Sequence, residues 1–116
     1  VLLGCLLLAA CTSSGDSDPA QTVEQYLQAK VASDEEAMRP LLCSAMEADL
    51  TREASSFAGL GARLENMTCT RDGESNTVTC TGAIVATYGT EESEFPLESY
   101  SVVQEDGAWK WCGEAG

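Results

Sequence analysis

The chain has 116 residues, 19 acidic against six basic side chains, a net charge of −13 and no histidine. Such an excess of negative charge repels nucleic acid and offers nothing to anionic lipid headgroups, so neither is an expected partner. With no histidine and no Cys-x-x-Cys spacing, no metal centre, redox centre or cofactor is expected.

Residues 1–10 are an apolar run, followed at once by Cys11 and the small polar Thr12, Ser13, Ser14 and Gly15. The run is too short to span a bilayer but suits the apolar core of a secretory signal. A buried core helix would continue into an amphipathic segment, not into a Ser/Asp/Gly tract. The end of the run, Leu8-Ala9-Ala10-Cys11, resembles the lipobox of bacterial lipoproteins, in which small residues precede a cysteine that becomes the lipidated mature N-terminus. A rival site at Leu2-Leu3-Gly4-Cys5 would leave Leu6 to Ala10 in water and is disfavoured. The resemblance implies lipidation at Cys11 and attachment to the bacterial cell membrane from outside the cytoplasm, with the lipid as the membrane contact. Because the chain opens on Val1 with neither Met nor a basic segment, the signal is expected to be incomplete at its N-terminus. Residues 11–18 then form a flexible polar tether.

Structure is expected to begin at Asp18-Pro19-Ala20-Gln21, a helix start with a capping residue and a proline in the first turn. Val23, Tyr26, Leu27 and Val31 follow at helical spacing. Ser33-Asp34-Glu35-Glu36 reads as a second capping box, opening a short helix that Pro40 ends. Ser44-Ala45-Met46-Glu47 reads as a third, opening a longer helix with Met46, Leu50, Ala54 and Phe57 on one side and Gly59 as its stop. From Ala62 the period becomes two. Strands are expected over 64–71, 77–88, 95–105 and 108–112, with turns at 72–76, 89–93 and Asp106-Gly107. This order predicts one α+β domain over residues 19–116, with N-terminal helices packed on a mainly four-stranded antiparallel sheet.

Cys43, Cys69, Cys80 and Cys112 remain for the domain, and in an exported protein four cysteines imply two disulfides. If Asp72 and Thr77 flank a four-residue loop, Cys69 stands across from Cys80, which leaves Cys43 for Cys112. The rival pairing, Cys43–Cys69 with Cys80–Cys112, needs the first strand beside the third helix start and the second strand near the fourth.

Tyr26-Leu27 in the first helix, Leu41-Leu42-Cys43 before the third, and the terminal Glu105-Asp106-Gly107-Ala108-Trp109-Lys110-Trp111-Cys112 carry a further resemblance. Over residues 19–116 the chain resembles the nuclear transport factor 2-like (cystatin-like) superfamily, and within it small bacterial lipoproteins of unknown function. The resemblance implies a cone: a strongly curved sheet wrapped around a long helix, leaving an apolar pocket. Some members are enzymes and many only bind, so the fold does not choose the function. Candidate pocket residues are Tyr26, Phe57, Ile84, Tyr88, Phe95, Tyr100, Trp109 and Trp111, although most would serve equally as the core of a small domain. An isomerase or dehydratase of this superfamily needs a carboxylate or histidine base inside the cone. Glu98 is the one carboxylate with apolar strand neighbours, and an outward-facing position suits it better. No Ser-His-Asp set, Cys-His set or phosphate loop can be assembled. The acidic runs at 34–36 and 91–94 lack a calcium-loop pattern and read as solvated charge. The expected function is a non-catalytic, lipid-anchored binding domain of the cell envelope, with a small apolar ligand or an envelope protein as its partner. The alternative is an interaction protein with a filled core and no ligand.

Overall fold

The computed structural model describes residues 18–115; the expected signal segment (1–10) and residues 11–17 of the tether, Cys11 among them, lie outside them. Asp18 opens the first helix, α1 (Pro19–Ala32), by accepting the Ala20 N–H at 2.9 Å. Val23, Tyr26 and Leu27 form its buried stripe, and Val31 packs against the edge of the same core. Ser33 ends α1 in the left-handed region, with φ 55°. The cap of α2 (Glu35–Met38) is therefore Asp34, which accepts the Ala37 N–H, and not Ser33 as the capping-box reading had it.

The longer helix expected from Ser44 does not form. Residues Ser44–Asp49 wind as a 3₁₀ turn, and only Leu50–Ala54 is α-helical (α3). Ser44 is engaged elsewhere: its hydroxyl donates to Glu105 at 2.8 Å and its N–H donates to the same carboxylate. The Cys43 N–H donates to the Trp111 carbonyl at 2.9 Å, which fixes the entry to this stretch against the sheet. The long helix under the sheet is α1.

The sheet contains β1 (Arg63–Arg71), β2 (Thr77–Tyr88), β3 (Glu91–Pro96), β4 (Ser99–Glu105) and β5 (Ala108–Glu114). All neighbours are antiparallel, in the order β1-β2-β4-β5, with β3 beside the far end of β2. There are five strands because the expected third one is divided. Gly89 and Thr90 alone make the turn, so Glu91 already pairs with Tyr88. Pro96 then ends β3, and the chain passes along β2 through Leu97 N–H to Gly82 O and Cys80 N–H to Glu98 O. At the same level β1 slips register between Glu65 and Thr68, with Asn66 at φ 57°. Gly82 faces this bulge at φ 102°; a Cβ there would lie 2.6 Å from the carbonyl oxygens of Asn66 and Glu65. Only glycine admits that approach.

Cys69 and Cys80 stand directly opposite, their Cα atoms 4.0 Å apart, and form one disulfide. Asp72 N–H donates to Thr77 O at the loop, and counting back along the ladder puts the cysteines at a non-hydrogen-bonded position, where the strands come closest. The second disulfide joins Cys43 to Cys112 on β5, with Cα atoms 5.2 Å apart, and ties the helical half to the sheet. Among the described residues no helix is long and apolar enough to cross a membrane.

Candidate functional site

Tyr26 occupies the centre of the cone. Its ring stacks on Trp111 of β5, with centroids 3.9 Å apart and planes 10° from parallel. Its hydroxyl donates to the Glu53 carboxylate of α3. One helical turn later, Lys30 Nζ donates to the same carboxylate oxygen at 3.0 Å and to the Tyr26 oxygen at 3.3 Å. Burial, then the bond and charge of Glu53, push the Tyr26 phenol far above its ordinary range. For Glu53, burial pushes the carboxyl up, but the bonds from Tyr26 and Lys30 outweigh it and leave the group below its ordinary value. The three side chains form a closed set: one phenol proton, one ammonium and one carboxylate committed to each other.

A cavity of about 190 Å³ opens beside this set. Its wall brings together six of the sequence-predicted residues: Tyr26, Phe57, Ile84, Phe95, Tyr100 and Trp111. Phe95 is 39% exposed, packs edge-on against Phe57 at 5.6 Å and stands opposite Ile84 across the β2–β3 pair. Tyr88, 46% exposed, touches the cluster through Phe95 at 6.4 Å but lies outside the wall. Trp109 also lies outside. It sits two residues nearer the Asp106-Gly107 turn than Trp111, with the Arg71 guanidinium 4.9 Å above its ring. Glu98 does line the cavity and is exposed, and its backbone N–H donates to the Tyr100 hydroxyl at 3.2 Å. Burial raises the Tyr100 phenol; the bond from the Glu98 N–H opposes the rise, and the charges of Glu98 and Glu114 add smaller amounts to it. The Trp111 Nε1–H is buried without an acceptor among the described residues.

Lys30, Glu53 and Glu114 were missed by sequence reasoning. Lys30 follows Tyr26 at helical spacing, and Glu53 falls between Leu50 and Phe57 on the apolar stripe, so both left a signal. Glu114 left none, because its position depends on where β5 ends. A larger open groove of about 470 Å³ runs between α1 and α2 over Gln25, Ala29, Ala37 and Pro40. Its one charged side chain, Asp34, is occupied in capping α2.

No protein-family model and no curated protein matches the chain. Solved structures do. The chain is similar to a nuclear transport factor 2-like protein of unknown function in nutrient uptake from Rhodospirillum rubrum, with a TM-score of 0.53 and 17% identity over 84% of this chain and 95% of that one. It is similar to a candidate ketosteroid isomerase from Shewanella frigidimarina, with a TM-score of 0.53 and 20% identity over 83% and 91%. It is also similar to a de novo designed β-sheet protein, with a TM-score of 0.51 and 16% identity over 84% and 85%. Likeness at such identities shows the fold alone: the chain has the nuclear transport factor 2-like α+β fold.

Proposed function

We propose that the protein is a non-catalytic, lipid-anchored binding domain of the bacterial cell envelope, and that its site is the aromatic cleft beneath Phe95. The observation that carries this reading is the cleft itself. An exposed phenylalanine leads into a cavity of about 190 Å³ walled by five aromatic rings. That volume is below the usual range for drug-sized ligands and suits a group of few heavy atoms.

Two observations favour binding over catalysis. Proton abstraction at neutral pH is best served by a base tuned upward, whereas Glu53 is tuned downward. The phenol proton of Tyr26 is already given to Glu53 and is not free for a substrate oxyanion. Two disulfides suit an oxidising compartment outside the cytoplasm. Lipidation at Cys11 accounts for the apolar run and the tether after it.

One reading competes, because Tyr26 and Trp111 are buried and stacked on each other in the interior. The protein would then be an envelope interaction protein with no ligand of its own. Native mass spectrometry of protein purified from its own membrane separates the two. The binding reading predicts a small-molecule adduct that is lost in Phe95→Ser, and an adduct-free mass favours the filled cone. For the anchor, Cys11→Ala in the full-length precursor should move the protein from detergent-extracted membrane to a soluble or unprocessed form. Unchanged fractionation would overturn lipidation.

A further inference from the structure

The charges around the cleft are lopsided. Lys30 is its one basic residue, and that ammonium is matched by Glu53 at 3.0 Å. Glu98 and Glu114 also line the cavity, both are exposed, and neither makes a salt bridge among the described residues. Both carboxylate charges bear on the Tyr100 hydroxyl, although the bond from the Glu98 N–H outweighs that residue's charge there, and Glu114 adds slightly to the rise at Tyr26. The wall between them is aromatic, and aromatic faces attract cations. The cleft already displays this chemistry within its own wall, where Lys30 Nζ lies 5.6 Å from the Tyr26 ring centroid.

We propose that the ligand of the cleft is a small organic cation, an alkylammonium group about the size of tetramethylammonium, held against the aromatic wall with Glu98 and Glu114 as its counter-charges. This rests on the reading of the cleft as a binding site and adds its ligand class. A strongly hydrated inorganic ion would have to shed its water against apolar rings, whereas an alkylammonium group presents methyl groups to them and carries its charge diffusely. An apolar anion would meet the unpaired carboxylates, and a neutral group would gain only its burial. The net charge of −13 also concentrates cations near the surface at low salt.

The test uses the full chain in a non-ionic detergent, titrated with tetramethylammonium, with tert-butanol as a neutral group of similar size and with pivalate as an anionic one. The readout is the indole N–H signals of the two tryptophans, Trp111 in the cleft and Trp109 outside it as an internal control. Tetramethylammonium should move the Trp111 signal and bind about tenfold more tightly than tert-butanol, with pivalate weakest. Glu98→Gln with Glu114→Gln should remove most of that preference, weakening tetramethylammonium far more than tert-butanol. Raising the salt to about 0.5 M should reduce the preference as well. If tert-butanol or pivalate moves Trp111 at equal or lower concentration, the cleft binds but the cation assignment is wrong. If no probe moves Trp111, both the assignment and the binding reading fall.

Discussion

Removing the Glu53 carboxylate would leave the Tyr26 hydroxyl without its acceptor and the Lys30 ammonium without its counter-charge in a site where both side chains are largely enclosed. Glu53→Ala should therefore cost about 2 kcal/mol or more in urea unfolding. The acid limb gives a second reading of the same group. Glu53 titrates below its ordinary value near 4.5, so at pH values between the two the unfolded chain binds more protons and stability rises with pH. The contribution of Glu53 is complete above that ordinary value and fades as pH falls through the lower, folded one. Glu53→Gln should flatten stability below about pH 4.5 relative to the parent chain, and an unchanged acid limb would contradict the assignment. At Gly82 the constraint is steric. A methyl group aimed at two carbonyl oxygens 2.6 Å away, on a backbone at φ 102°, should cost Gly82→Ala about 3 kcal/mol, seen as a lower unfolding midpoint. Tyr26 was legible as a core residue from its helical stripe. Its bond to Glu53 was not, because it needs α1 and α3 brought together across the fold.

Each element was legible where its own residues decide it. The alternation over 77–88 is matched by β2 at both ends, and Asp106-Gly107 turns the β4–β5 hairpin with φ 56° and 81°. Where tertiary partners decide, the sequence misled. Ser44 has the residue type of a helix cap but bonds to Glu105 on β4, 61 residues later, and the stretch after it winds as 3₁₀. The break at Pro96 had a local signal, a proline within an apparent strand, and it is the residue that gives the sheet its fifth strand. The disulfides act at this scale too. Cys69–Cys80 staples one hairpin across 11 residues, and Cys43–Cys112 closes 69 residues and joins two halves of the fold. In the loop-entropy account these contribute about 3 and about 4 kcal/mol. Urea unfolding of Cys69→Ala/Cys80→Ala against Cys43→Ala/Cys112→Ala should show the larger loss in the second pair. The reverse order would mean that β5 and the Cys43 segment stay docked through the Cys43 N–H, the Leu42–Trp111 bridge and the Lys110 contact to the Pro40 carbonyl.

At the scale of the molecule, the sheet and the helix bearing Tyr26 enclose a cavity whose apolar wall was largely foreseeable from aromatic positions. Its charge was only partly foreseeable: Glu98, between β3 and β4, stood out among apolar neighbours, but Glu114 at the end of β5 joins it only in the folded chain. The claim that joins these levels is that the cleft is a ligand site and not a leftover of packing. Trp111 sits in its wall, so Trp109→Phe leaves a chain whose single tryptophan reports on the cleft alone. Titrating that variant with benzyl alcohol, a group of few heavy atoms, should give a saturable change in Trp111 emission that is lost when Phe95→Ser is added. A change that never saturates, or one that survives Phe95→Ser unaltered, would contradict the account.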